Sequence, residues 1–255
     1  MTFYKYHGTG NDFILFDNRD GKIALSKEQI GHMCHWHFGI GADGLMLLQR
    51  ADGFDFRMVY YNSDGAESTM CGNGGRCLTA FAKSLGIIDT VANFIAIDGP
   101  HKATIGNDGV ISLHMNDVSG MEIKDGYTIL NTGSPHYVKW TLDVKNTDIF
   151  HEGRSIRNQP EFQPDGINVN FVQLLEGKIS VRTYERGVED ETLSCGTGVT
   201  AAAIAATATR TGTFVTDIVT PGGNLKVSFT KNSATTATDV MLIGPAVFVF
   251  KGEIE

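Results

Sequence analysis

The sequence predicts an α+β protein of two similar domains, and three observations point there. Short segments of alternating apolar and polar residues recur along the whole chain. Helical segments are few. One pattern, Cys-Gly-x-Gly ahead of a helical segment, occurs twice, about half a chain apart. At 255 residues there is length for one large domain or two of ordinary size.

The strands come first. Residues 13–17, 54–61, 94–97, 109–115, 127–130, 137–140, 169–174 and 178–184 are rich in Val, Ile, Phe, Tyr and Thr and are bounded by Gly, Asn or Asp. Residues 218–220, 225–229, 239–243 and 246–251 have the same character. Asn107-Asp108-Gly109 and Glu176-Gly177 have hairpin-turn chemistry. Three helices are expected. Residues 26–35 open on Ser26 as N-cap with an early Glu28. Residues 74–85 and 198–209 lack Pro, contain Ala and follow Gly-rich turns.

The two turns belong to a longer repeat. Thr69-Met70-Cys71-Gly72-Asn73-Gly74 matches Leu193-Ser194-Cys195-Gly196-Thr197-Gly198. Upstream, Arg57-Met58-Val59-Tyr60-Tyr61 parallels Arg182-Thr183-Tyr184, and a strand hairpin is expected after each helix, over 94–115 and 218–243. Self-similarity on this scale indicates two domains and not a solenoid. The expected division is 1–117 and 118–245, with the last strand, within 246–255, returning to the first domain.

Composition excludes several classes. Hydrophobic residues are 42% of the chain and charged residues 20%, enough for a core without disulfides. A net charge of −8 without a dense Lys/Arg run argues against nucleic-acid or anionic-membrane partners. The N-terminus lacks a signal-peptide layout, and no apolar run approaches the roughly 18–20 residues of a membrane span. The expectation is a cytoplasmic protein. Cys34, Cys71, Cys77 and Cys195 fit neither a disulfide framework nor a common zinc spacing, so free thiols are expected. His32, Cys34, His35 and His37 do not share one helical face, and no metal is expected there.

A Cys at the first turn of a helix sits beside backbone N–H groups that have no intrahelical partner, at the positive end of the helix dipole. Both favour thiolate over thiol. The same N–H groups can hold a carboxylate, and glycines let the backbone approach it. With one such turn in each half, one sulfur as thiolate removes an α-proton and the other as thiol returns a proton to the opposite face. Cys71 and Cys195 are therefore candidate acid/base groups of an epimerase. A duplicated binding protein with inert thiols is the competing class.

The chain resembles the diaminopimelate epimerase family along nearly its whole length. The motifs are His7-Gly8-Thr9-Gly10-Asn11-Asp12-Phe13, Gly39-Ile40-Gly41-Ala42-Asp43-Gly44, and Tyr61-Asn62-Ser63-Asp64-Gly65 running into Met70 through Arg76. Gly133-Ser134-Pro135-His136, Asn168-Val169-Asn170-Phe171-Val172, and Tyr184-Glu185-Arg186-Gly187 through Gly198 complete them. The resemblance implies two pseudo-symmetric domains, each a highly curved, mainly antiparallel sheet around a central helix. It implies interconversion of LL- and meso-diaminopimelate without pyridoxal phosphate, metal or other cofactor, serving lysine and peptidoglycan precursor synthesis. By motif position Cys71 and Cys195 are the thiols, and His136 and Glu185 orient or deprotonate them. Gly72, Asn73, Gly196 and Thr197 surround the reacting carboxylate. Asn11, Asn62, Asn168 and Arg186 bind substrate, Arg186 being suited to the distal carboxylate. The expected partner is a small amino acid, and homodimerisation is left open. Gly44 replaces a Gln of some members, Ser134 an Asn of many, and Val188-Glu189-Asp190 is one residue longer than the commonest form. These departures keep a racemase of another amino acid as the alternative.

Overall fold

The computed structural model describes residues 1–254. The chain divides into two compact units, one of Met1–Leu113 with the segment from Gly244 onward, the other of His114–Ile243. In the first, β1 (Thr2–Gly8), β2 (Asn11–Asp17), β3 (Gly44–Gln49), β4 (Phe56–Asn62), β5 (Glu67–Ser68), β6 (Val91–Ala96), β7 (Gly99–Ile105) and β8 (Ile111–His114) join α1 (Lys27–Cys34) and α2 (Gly72–Ser84). In the second, β9 (Met121–Ile123), β10 (Tyr127–Asn131), β11 (Pro135–Trp140), β12 (Asn168–Leu175), β13 (Lys178–Glu185), β14 (Asp190–Thr192), β15 (Gly212–Thr220), β16 (Gly223–Lys231) and β17 (Thr238–Gly244) join α3 (Ile149–Arg157) and α4 (Gly196–Ala205). The last strand, β18 (Val247–Glu253), pairs antiparallel with β1, Thr2 opposite Glu253.

The two units share one topology. The first sheet runs β18-β1-β2-β3-β4-β6-β7-β8, antiparallel except for the parallel pairs β2–β3 and β4–β6. The second runs β9-β10-β11-β12-β13-β15-β16-β17, parallel only at β11–β12 and β13–β15. Parallel neighbours need a crossover. α1 and α2 are the crossovers of the first unit, α3 and α4 those of the second.

One crossover helix of each pair is enclosed by its own sheet. α2 packs against β1, β2, β3, β4 and β7, and α4 against β10, β11, β12, β13, β15 and β16. A helix covered on every side cannot be amphipathic. α4 reads Gly-Thr-Gly-Val-Thr-Ala-Ala-Ala-Ile-Ala, small enough for strands to approach, and all but Thr197 is buried. Its Thr200 hydroxyl donates to Gly196 O at 2.8 Å, as Thr79 in α2 donates to Gly75 O at 2.7 Å, so neither buried hydroxyl is left unsatisfied. The other helix lies on the sheet's opposite face. Ile30 and Cys34 of α1 join Phe3, Ile14, Phe16, Leu45 and Leu47. Ile149 and Ile156 of α3 join Val169, Phe171 and Tyr184.

Several elements differ from the sequence expectations. β3 was not expected, because Gly-Leu-Met-Leu-Leu-Gln does not alternate; both its faces are buried, which removes the period-2 pattern. β7 makes the expected 94–115 hairpin a three-stranded meander. The central helices begin two residues earlier than expected, at Gly72 and Gly196. α3 was missed because it is short and carries Gly153 at its centre, a poor helix former. That glycine is a packing requirement: a Cβ there would lie 2.4 Å from Tyr184 Cβ. Ser26 caps α1 in a full capping box with Gln29. Among the described residues no helix is long and apolar enough to cross a membrane.

Gly153→Ala improves helix propensity yet overpacks α3 on β13. It should destabilise the protein by about 1–3 kcal/mol, read as a lower urea midpoint; an unchanged or raised midpoint would show that α3 tolerates a wider spacing.

Candidate active site

Cys71 is the N-cap of α2, with extended backbone (φ −94°, ψ 131°) and no capping bond from its sulfur. The first ladder bond runs from Gly75 N–H to Cys71 O at 2.7 Å. The N–H groups of Gly72, Asn73 and Gly74 therefore have no acceptor within the helix. The half-buried Cys71 Sγ donates to Asn11 Oδ1 at 3.7 Å, and Asn73 Nδ2 donates to the same oxygen at 3.2 Å. The opposite end of that amide is fixed: Asn11 Nδ2 donates to Asp43 Oδ2 at 2.6 Å. Asp43 also accepts from Asp12 N–H at 3.1 Å, and Asp12 pairs with the buried Lys5 at 2.7 Å. A chain of charges thus sets which face of Asn11 meets the sulfur.

Arg76, one turn into α2, is fully buried. It donates to Gly72 O and Thr9 Oγ1, each at 3.2 Å, and to Pro245 O at 3.4 Å; among the described residues it has no carboxylate partner. Burial lowers its pKa, and its charge acts on Cys71 and Cys77. Asn62 lies exposed at the end of β4, paired in register with Gly44. At Gly44 a Cβ would meet the Tyr60 ring at 2.6 Å and Tyr61 O at 2.7 Å, so no longer side chain fits there.

The second unit repeats the arrangement. Cys195 is the N-cap of α4 (φ −106°, ψ 114°), again without a capping bond. Val199 N–H closes the first ladder bond on Cys195 O at 2.9 Å, which leaves Gly196, Thr197 and Gly198 N–H without intrahelical acceptors. Cys195 Sγ lies 3.5 Å from Thr197 Oγ1, and Thr197 O accepts from Thr132 Oγ1 at 2.8 Å. Gly198 is required by close approach: its Cβ would lie 2.3 Å from Asn170 Oδ1 and 3.3 Å from Cys195 Sγ.

His136, on β11, is fully buried, and Asn170 Nδ2 contacts its Nδ1 at 3.0 Å. Burial and the nearby Arg186 push its pKa down to about 3, so the ring is neutral. Glu185 ends β13 and accepts from Thr192 Oγ1 at 2.8 Å. Asn168 spends both amide hydrogens, on Ser134 Oγ at 2.8 Å and Pro135 O at 3.0 Å, while its oxygen accepts from Arg186 N–H at 2.9 Å. The Arg186 guanidinium reaches Asp165 O and Ser134 Oγ at 3.4 Å each and meets no carboxylate among the described residues. It is available to an anionic ligand.

The remaining cysteines stand apart from this chemistry. Cys34 is packed under α1, where burial pushes its thiol up to about 12, and the fully buried Cys77 thiol is pushed up as well. Neither is a thiolate at neutral pH. His35 Nδ1 accepts from the backbone N–H of His37 and Phe38, at 3.1 and 3.3 Å, and structures its own loop. Sequence reasoning assigned no role to Arg76, Asp43 or Asn170. All three sit inside the matched motifs, Asn170 as a polar residue in an otherwise mostly apolar strand.

A buried neutral His136 has a sign for stability. Its folded pKa lies below the unfolded value, so the unfolded chain binds the extra proton between about pH 6.5 and 3. Stability contributed by the neutral ring is full above about pH 6.5 and is lost toward pH 3, at up to about 1.4 kcal/mol per pH unit. His136→Gln, which takes up no proton, should flatten that limb in urea titrations at a series of pH values. An unchanged slope would assign the acid sensitivity elsewhere.

A family model described as diaminopimelate epimerase matches residues 3–121 and 128–249. The diaminopimelate epimerase of Flavobacterium psychrophilum is 52% identical over the full length of both chains. That of Chlorobaculum tepidum is 41% identical, over 97% of this chain and 98% of the relative. Among solved structures, a phenazine biosynthesis protein of the PhzF family from Bacillus anthracis superposes with a TM-score of 0.75 at 15% identity, covering 100% of this chain and 99% of that one. A probable proline racemase from Agrobacterium radiobacter gives 0.69 at 16% identity, covering 100% and 92%. These two show the fold, and the closer sequence relatives show more: with its two Cys-capped helices and matched motifs, the chain belongs to the diaminopimelate epimerase family.

Proposed function

We propose that this protein interconverts LL- and meso-diaminopimelate by proton transfer between its α-carbon and two thiols. One observation carries the reading. Cys71 and Cys195 both stand as N-caps of enclosed helices, at matching positions of the two units. The relatives that bear the name diaminopimelate epimerase support the substrate, one of them 52% identical over the whole length of both chains.

In this reading one sulfur, as thiolate, takes the α-proton and becomes a thiol. The other, as thiol, gives its proton to the opposite face of the carbanion and becomes a thiolate. The pair carries one proton in total, and each turnover exchanges their roles. The backbone N–H groups of the first turns, at Gly72, Asn73, Gly196 and Thr197, stabilise the carboxylate charge that grows as the α-carbon is deprotonated. The buried Arg76 favours the thiolate form of Cys71. Asn11 and Glu185 act beside the sulfurs, Asn62 and Asn168 with the substrate's polar groups, and Arg186 with its distal carboxylate. The acid and base come from the thiols, so no pyridoxal phosphate is required. The product feeds lysine and peptidoglycan precursor synthesis, in the cytoplasm.

Cys71→Ala and Cys195→Ala should each lower the inversion rate by about 10²–10⁴-fold, followed as diaminopimelate α-deuterium uptake from D₂O with separation of the stereoisomers. Full inversion in either variant would overturn the two-thiol mechanism. Arg186→Gln should raise KM for diaminopimelate by about 10–100-fold, the worth of a charged hydrogen bond, with a smaller change in kcat. An unchanged KM would point to an amino acid without a second carboxylate.

A further inference from the structure

We propose that Asn170 is a positioning residue that locks His136 in the tautomer protonated at Nε2, making the imidazole a hydrogen-bond donor at the site and not a proton acceptor. The step in the reaction rests on the function proposed above; the tautomer does not.

The hydrogen-bond pattern has one consistent solution. Asn170 lies on β12, in register with Thr183 of β13. Thr183 Oγ1 donates to Asn170 Oδ1 at 3.0 Å, and Asn170 Nδ2 lies 3.3 Å from Tyr137 O. A backbone carbonyl only accepts, so the NH₂ end of the amide must face it. Turning the amide over would set oxygen against oxygen. The same NH₂ lies 3.0 Å from His136 Nδ1, which must then be the accepting, unprotonated nitrogen. A ring protonated at Nδ1, whether neutral or imidazolium, would set two donors against each other. The single ring proton is therefore on Nε2. Asn170 Oδ1 occupies the space that Gly198 leaves by carrying no Cβ, 2.3 Å from where that atom would sit.

The Nε2 end completes the case. His136 has no accessible surface, and among the described residues its buried Nε2 has no hydrogen-bond partner. A native buried N–H left in this state is a strain on the fold unless something fills it. The position Gly198 leaves open lies 3.3 Å from Cys195 Sγ, so the Asn170 amide is wedged against the same helix turn that carries the thiol. An Nε2–H can stabilise an anion that meets it, a thiolate or a substrate carboxylate, and cannot take a proton from a thiol. The general-base role that family resemblance offers for His136 is thereby narrowed to that of a donor.

Long-range ¹H–¹⁵N correlation spectra of histidine-labelled protein, with His136 assigned by its loss in His136→Gln, test the tautomer without substrate. The expected result is an unprotonated Nδ1 and a protonated Nε2. A protonated Nδ1 in the native protein would overturn the proposal. Asn170→Asp, which can only accept at that position, should move the ring proton to Nδ1 and lower the inversion rate by at least about tenfold. A kcat loss at constant KM assigns the donor to a thiolate, and a KM rise assigns it to the substrate carboxylate. Asn170→Asp protein that shows the moved proton and full activity would remove the positioning role, while loss of inversion in the native protein with the tautomer intact would fault the proposed reaction and not this inference.

Discussion

Enclosure of α2 and α4 is the constraint on which the rest of each unit depends. A helix wrapped by five or six strands has no solvent face, so every residue must either fit between strands or satisfy its own polar groups. That explains the run of Ala in α4, the Thr hydroxyls turned back onto carbonyls, and the glycines at the third helical position, where Met46 in one unit and Asn170 in the other press in. Only the helix's first turn escapes enclosure by ladder bonds, and there its N–H groups remain for a ligand. The sulfur at each N-cap inherits its chemistry from this geometry.

The two half-sites share a frame but not their supporting groups. Around Cys71 the neighbours are ionic: Lys5, Asp12 and Asp43 orient Asn11, and Arg76 lies buried without a carboxylate partner among the described residues. Around Cys195 the packed groups are Thr197, Asn170 and an uncharged His136, with the charged Arg186 near enough to lower the imidazole pKa. At the helical position where α2 carries Arg76, α4 carries Thr200. Fold symmetry therefore does not extend to electrostatics, and the two thiols are held in different fields.

Much of this was legible in the sequence, and the limits have physical causes. The repeat, the two cysteine turns and the Ser26 cap rest on local chemistry that needs no tertiary context. β3 was hidden because a strand buried on both faces loses its alternation, and α3 because Gly153 answers to Tyr184 rather than to helix propensity. Asn170 was illegible as a site residue for a similar reason. Its meaning lies in three hydrogen bonds to residues 13 to 34 positions away, and a single polar residue in an apolar strand does not disclose them. Arg76 stood in plain view within a motif, yet burial without a carboxylate partner is a property of the packed state alone.

The pairing of Thr2 with Glu253 has a consequence for biosynthesis. The first unit takes its outermost strand, β18, from beyond the whole of the second unit, where the second unit takes the equivalent strand, β9, from its own beginning. A ribosome therefore delivers everything the second unit needs before it delivers the strand that covers β1. The contiguous C-terminal unit can close its sheet while the N-terminal one, made earlier, still presents an uncovered strand edge of the kind that invites wrong pairing.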